Sequence, residues 1–319
     1  MIVHWGLERL PRALAEVGAS KPYLLATARH ADVPEHVGRW SDLPTDDIGA
    51  VAAGLGEADV LLPLGGGSAI DTAKAVSAQT GLPVVSIPTT YSGAEWTPFF
   101  GVRDQGRRQR GGGAGAEVAG IVYEPRLTLG LPRAETVGTA LNALAHCAEA
   151  LYAEGHNDDA DAHALEGARL IDEWLPAVVE RPHDLEARTE LLRGACHAGA
   201  ALAGSMLALG HALAQALGGR YGLPHGAMNA LSLPAALRYN AAIVPEAVER
   251  FGRALGTDDP AGRVEELARL GEFGRLRDFS VPAEELAAVA EAAVARPGAK
   301  ANPRTPSPAE AEELLRSIW

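Results

Sequence analysis

The sequence predicts a parallel α/β sheet domain over residues 1–131 followed by an all-helical domain over residues 132–319, and three observations carry that prediction. Short apolar or β-branched runs alternate with helix-length segments through the first 130 residues, the texture of a parallel sheet with crossover helices. Beyond Leu131 and Pro132 those runs give way to Ala- and Leu-rich stretches with helical periodicity. A glycine run, "GGGS", stands where one predicted strand ends and a helix begins.

The strands are read in order at "KPYLLAT" (21–27), "ADVLLPLGGGS" (58–68), "LPVVSIPTT" (82–90) and "AGIVYEP" (119–125). The segment "RRQRGGGAGAE" (107–117) reads by composition as a flexible, locally basic loop. The helices follow in "NALAHCAEALYA", "DAHALEGARLIDEWLPAVVE", the long run from Glu186 to Gly219, and "AEELAAVAEAAVA". Apolar helices of this kind, expected to be exposed in part on the second domain, lead to the expectation of a homodimer.

Composition narrows the function classes. With 319 residues, 47% of them hydrophobic, the chain has ample material for two cores. A formal net charge of −13 argues against a broad phosphate-backbone footprint, so no nucleic-acid partner is expected. Cys147 and Cys196, the only cysteines, form no CxxC pair, and a reduced cytoplasmic compartment fits them. Neither a signal-peptide layout nor a run of about 18 apolar residues is found, so no membrane partner is expected.

Gly65, Gly66, Gly67 and Ser68 let the backbone turn sharply, and the free N–H groups of a helix start favour a phosphate. The pattern is neither GxGxxG nor a P-loop, since Lys74 comes too late for a Walker lysine. Asp71 is read either as a cap of that helix or as an acceptor for a ribose hydroxyl. Thr89, Thr90 and Ser92 crowd hydroxyls at the carboxyl end of the next strand, the edge where open α/β sheets bind ligands. Trp96, Phe99 and Phe100 fit a cleft wall or plain core equally well.

Three histidines stand apart from the other seven. His146 lies in an apolar helix with Asn142 one turn before it, and His211 and His225 flank a Gly/Pro turn. One such histidine is ordinary packing, whereas three in one helical domain suggest a site in which imidazoles hold Fe or Zn or act as acids and bases.

"GGGSAIDTAKA", "IPTTYSGAEWTP", "NALAHCAEALYA" and "HALAQALGGRYGLPHGAMNALSLP" together resemble the iron-containing alcohol dehydrogenase superfamily, in order and over essentially the whole chain. "PTTYSGAEWTPFFGV", "YEPRLTLGLP", Asn142 and the closing "NPRTPSPAEAEELLRSIW" are most similar to its maleylacetate reductase branch. The resemblance implies a Rossmann-like nucleotide domain, an all-helical domain of the dehydroquinate synthase-like type and an active site in the cleft between them. It further implies that Gly65, Gly66, Gly67 and Ser68 hold the pyrophosphate of NAD(H) or NADP(H), with Thr89, Thr90 and Ser92 lining the adenine and nicotinamide side. The positions that bind a cation in metal-dependent members are Asn142, His146, His211 and His225 here.

This chain departs from the family at three places: Asn142 stands where those members carry Asp, Gln215 where the family has a further histidine, and "GGGAGAEVAG" where it often has Lys or Arg. Two chemistries follow. In a metal-free reductase, His146, His211 and His225 serve as catalytic donors, partly protonated, toward an anionic dicarboxylate enone such as maleylacetate, reduced to 3-oxoadipate. In a metal-dependent alcohol dehydrogenase, Fe or Zn polarises a carbonyl oxygen. A degenerate, non-catalytic nucleotide-binding paralogue is the third reading. A dehydroquinate synthase-like lyase would need a dense basic set for phosphate, which Lys21, Lys74 and Lys300 do not make.

Overall fold

The structure, a computed structural model, describes residues 1–30 and 33–319. The chain divides into two compact units, one made of Met1–Thr90 with Ala94–Gly130 and the other of Tyr91–Gly93 with Leu131–Trp319.

The first unit runs β1 (Ile2–Trp5), α1 (Leu10–Glu16), β2 (Pro22–Leu25), β3 (Gly38–Trp40), α2 (Ile48–Ala53), β4 (Val60–Gly65), α3 (Gly67–Thr80), β5 (Val84–Pro88), β6 (Phe100–Arg103), β7 (Gln109–Gly113) and β8 (Val118–Tyr123). Six strands form one sheet in the order β1-β8-β5-β4-β2-β3, every pair parallel. Alternation of side chains explains the unbroken apolar runs: Leu24, Leu62 and Val85 pack with Leu10 and Ala13 of α1, while Leu25, Leu61 and Val84 pack with Val51 of α2 and with Ala73 and Val76 of α3. Both faces are thereby covered. β1 escapes a pattern search because it is a four-residue edge strand that contains His4 and is buried only in part.

The segment at 107–117 is not the loop its composition suggests. Gln109–Gly113 is β7, paired antiparallel with β6 in a separate two-stranded ribbon. Asp104 organises the turn, accepting from the backbone of Arg108 and the side chain of Arg110. The glycines are there for close approach: a Cβ on Gly113 would lie 2.9 Å from the Phe100 ring.

The second unit contains α4 (Arg133–Ala150), α5 (Asp158–Glu180), α6 (Leu185–Ala203), α7 (Leu209–Tyr221), α8 (His225–Ala241), α9 (Pro245–Ala254), α10 (Pro260–Arg269), α11 (Leu286–Val294), α12 (Pro297–Ala301) and α13 (Pro308–Ser317). Helix starts follow ordinary capping chemistry. Asn157 and Asp184 accept from first-turn amides of α5 and α6, and Ser307 with Glu310 forms a capping box on α13. α4 packs against α5, α6 and α8, and α7 lies along α8. At one crossing a Cβ on Gly226 would fall 2.4 Å from the Gly138 carbonyl carbon, so two glycines let α4 and α8 meet backbone to backbone. Cys147 is buried and Cys196 partly so, and the two are not joined in a disulfide. Among the described residues no helix is long and apolar enough to cross a membrane.

The expectation of exposed apolar helices is not met. Among the described residues the large hydrophobic side chains exposed on the second unit are Leu185 and Met206, because its helices bury their apolar faces against one another.

Candidate active site

In the first unit, Gly65 ends β4 opposite Pro88 of β5, so the glycine run and Thr89 lie side by side at the carboxyl edge of the sheet. The Thr89 N–H donates to the Gly65 carbonyl at 3.0 Å. Gly66 is the N-cap of α3 and offers no side-chain cap to the first turn. A Cβ there would stand 2.8 Å from Thr90 Cγ2, so only glycine keeps this corner open. Thr89 Oγ1 is buried and has no hydrogen-bond partner. A fourteen-residue helix with an open first turn, a bare glycine corner and an orphaned hydroxyl fits the pyrophosphate of a dinucleotide.

Two expectations for this edge change. Asp71 does not cap α3; its carboxylate accepts from the Gly101 N–H at 3.2 Å and pairs with Lys74 at 3.0 Å. Lys74 is almost wholly buried and also donates to the Ala94 and Phe99 carbonyls, so it fastens the chain ahead of β6. Ser92 belongs to the second unit, where its carbonyl accepts from Asn142 Nδ2 at 2.8 Å. Trp96 is held by Nε1–H donation to the Tyr123 hydroxyl, whereas Phe99 is exposed.

In the second unit, α4, α7 and α8 bring the three singled-out histidines together. The His146 and His211 rings stack with centroids 4.7 Å apart, and His211 and His225 stand 6.0 Å apart. Gly93, at φ +75°, closes over His146, and a Cβ there would sit 3.3 Å from Nδ1. His146 Nδ1 and His211 Nε2 are buried without partners. Burial, reinforced by His211 and His225, holds the His146 imidazole well below its ordinary range. His146 is therefore a neutral ring near neutral pH, which corrects the expectation of partly protonated donors at that position.

Two residues that sequence reasoning missed organise this cluster. Glu149, fully buried one turn after His146, accepts from the Ala208 N–H at 2.6 Å, the His211 N–H at 3.0 Å and His211 Nδ1–H at 2.7 Å. It thereby sets the His211 tautomer and leaves Nε2 open. Asn229, one turn after His225, donates Nδ2 to Asn142 Oδ1 at 2.7 Å and to His225 Nε2 at 3.1 Å. A charged residue inside the apolar "HCAEALYA" was the available signal for Glu149.

These contacts decide the fit of a metal. Asn142 contributes no negative charge, and its one ligating atom, Oδ1, accepts from Asn229, as does His225 Nε2. The nearby carboxylate, Glu149, is spent on His211 and two backbone amides. Among the described residues no group of three His, Cys, Asp or Glu side chains is arranged to hold a metal ion. Asn142 in place of a carboxylate, with its Oδ1 and His225 Nε2 both engaged by Asn229, makes these positions a poorer site for the divalent cation that the resemblance attaches to them.

A glycine corner on a parallel sheet and a buried imidazole cluster on helices are the equipment of a nucleotide-dependent oxidoreductase. The chain belongs to the iron-containing alcohol dehydrogenase family: residues 136–319 match the family described as "Fe-containing alcohol dehydrogenase family, C-terminal" and residues 39–118 match "Iron-containing alcohol dehydrogenase". It is 42% identical to a maleylacetate reductase of Burkholderia cepacia, over 83% of this chain and 73% of that protein. It is 35% identical to the maleylacetate reductase of Pseudomonas knackmussii, over 98% of this chain and 93% of the other. Its fold matches the crystal structure of maleylacetate reductase from Rhizobium sp. strain MTP-10005 with a TM-score of 0.89 at 30% identity, covering 100% of this chain and 95% of that one. It matches an iron-containing alcohol dehydrogenase from Corynebacterium glutamicum with a TM-score of 0.90 at 30% identity, over 100% and 94% of the two chains.

Proposed function

We propose that this oxidoreductase reduces the carbon–carbon double bond of maleylacetate to give 3-oxoadipate, using NADH or NADPH and no catalytic metal. The observation that carries the reading is Asn142, an amide held on one side by the Ser92 carbonyl and on the other by Asn229 in the place where the resemblance puts a carboxylate in metal-dependent members. Relatives named maleylacetate reductase at up to 42% identity point the same way.

Gly65, Gly66, Gly67 and Ser68 would hold the pyrophosphate of a reduced nicotinamide cofactor, which when bound would supply the hydride. Gly66 keeps the corner open for the pyrophosphate and the first turn of α3 stabilises its charge. On the helical unit, His146 and His211 present the unpartnered ring nitrogens Nδ1 and Nε2. As hydride reaches one alkene carbon, the electron pair moves onto the conjugated ketone oxygen. With its Nε2 accepting from Asn142, His146 would donate Nδ1–H to the enolate oxygen, and a proton from solvent would then reach the neighbouring carbon. His225 is tied to Asn229, which fixes its ring beside the other two. The substrate is a small dicarboxylate, and the absence of a carboxylate at Asn142 removes a repulsion against it. A homodimer remains part of the proposal, with sedimentation as its check.

The experiment is to purify the protein without added metal, measure bound Fe and Zn, and assay NAD(P)H oxidation with maleylacetate before and after a chelator. Chelator-insensitive turnover in a metal-free sample is expected. Stoichiometric metal, with activity confined to alcohols or aldehydes and lost to the chelator, would replace this reading with a metal-dependent alcohol dehydrogenase. No turnover of either class would leave a non-catalytic nucleotide-binding paralogue.

A further inference from the structure

We propose that Arg296 is the anchor for a carboxylate of the substrate; the inference rests on the anionic-substrate reading above. Arg296 is the N-cap residue of α12, between α11 and α12, and is half-buried. Its Nη1–H donates to Gln215 Oε1 at 3.4 Å, while Nε is buried and has no acceptor. Among the described residues no carboxylate forms an ion pair with it. Other arginines of the same unit have their donors engaged: Arg263, also partly buried, is paired with both Asp172 and Glu266, Arg250 with Asp161, and the fully buried Arg188 donates to the Pro182 carbonyl and the Tyr91 and Thr136 hydroxyls. A guanidinium that loses water without gaining a counter-ion is costly to keep, and a negatively charged ligand offsets that cost.

Gln215 gives the position its meaning. It lies one helical turn after His211, so the two share a face of α7. The amide oxygen is an acceptor at every pH and secures one arm of the guanidinium. The Nε edge of the fork has no acceptor among the described residues, and it is the edge that engages a carboxylate with two parallel hydrogen bonds. A substrate held at the imidazole cluster would therefore place a carboxylate within reach of the neighbouring turn. Arg296 thus brings a permanent positive charge beside Gln215, one turn from His211.

The test compares wild type with Arg296→Met and Arg296→Lys, each checked for folding by circular dichroism and thermal midpoint. Steady-state kinetics with maleylacetate should show KM raised about 100-fold in Arg296→Met with a much smaller change in kcat, the scale of one lost charge-assisted carboxylate contact. Arg296→Lys should recover part of the loss, since a point charge replaces a fork. Adipate, an unreactive dicarboxylate of the same length, is the binding probe: it should raise the thermal midpoint of wild type and not that of Arg296→Met. A folded Arg296→Met with wild-type KM and an undiminished adipate shift would overturn the assignment. If wild type fails to turn over maleylacetate, the reductase reading fails on its own, and adipate then decides the anchor: a shift lost in Arg296→Met supports it, and no shift in wild type rejects it.

Discussion

Replacing Glu149 tests how His211 is held, because among the described residues this carboxylate is hydrogen-bonded only to His211 and the backbone beside it. It is fully buried and accepts three hydrogen bonds, from the Ala208 N–H at 2.6 Å, the His211 N–H at 3.0 Å and His211 Nδ1–H at 2.7 Å. Hydrogen bonds to a charged group contribute about 1.5–3 kcal/mol each, but neighbours in one network do not add. Glu149→Ala strands two amides and a ring N–H at once, and its cost should be about 3–5 kcal/mol, the range for breaking a buried ionic partner. That is a large part of the stability of an ordinary domain, roughly 5–15 kcal/mol, so Glu149→Gln is the working variant. Its amide oxygen retains the bonds from Ala208 and His211 Nδ1, while its NH2 faces the His211 N–H donor to donor, for a loss of about 1–3 kcal/mol. A ring displaced by that conflict no longer aims Nε2, and kcat should fall by about 100-fold. The KM for NAD(P)H should not move, since the cradle belongs to the other unit. Urea unfolding and steady-state NAD(P)H oxidation read both effects. A Glu149→Gln enzyme with wild-type kcat and unfolding midpoint would refute the reasoning, because nothing else restrains His211 Nδ1.

Three further outcomes follow from the same contacts. Asn142→Asp sets a carboxylate against the Ser92 carbonyl in place of an N–H donor, and should cost about 1–3 kcal/mol in urea unfolding. The variant should also gain Zn on dialysis and lose about tenfold or more in affinity for a dicarboxylate, read by elemental analysis and KM. His146 has a folded pKa below the ordinary 6.5, so its contribution to stability is present above pH 6.5 and is lost as the pH falls below it. Unfolding midpoints should therefore drop between neutrality and pH about 5.5, and drop less in His146→Gln. Glu95 has the opposite sign. Burial raises its pKa above 4.5, against the hydrogen bond from Tyr123, so its contribution is complete below pH 4.5 and is lost as the pH rises through the folded value. The stability of wild type should fall relative to Glu95→Gln with rising pH above 4.5, and parallel pH profiles would show that Glu95 is ionised in the fold.

Different parts of the site were legible for different physical reasons. The glycine run could be read because a strand of alternating packing ends where the Cβ atoms stop, and Asn142 with His146 because one helical turn separates them. Asn229 stands one turn after His225 by the same rule, yet an amide among apolar neighbours reads as a packed residue until its partners are known. Glu149 is one step further from view, since only the fold brings the start of α7 over its carboxylate. Composition misled at Gln109–Gly113, where glycines that suggest a loose loop instead admit the Phe100 ring to a ribbon. Arg296 lies 81 residues from Gln215 in the chain, beyond the reach of any periodicity.

The departures from the metal-dependent pattern make sense together. Asn142 removes a negative charge and locks the freed position with two hydrogen bonds. Gln215 gives up an imidazole and becomes the fixed acceptor for a cation. Burial keeps His146 neutral, so protonation of that ring does not supply the charge an anionic substrate needs. Reverting Gln215 to His therefore distinguishes a merely lost residue from a reassigned one. If Gln215 is a remnant, Gln215→His should leave dicarboxylate KM unchanged. If it holds Arg296 in place, a ring that changes protonation with pH replaces an acceptor that does not, and KM should rise most steeply on the acid side, where an imidazolium would repel the guanidinium.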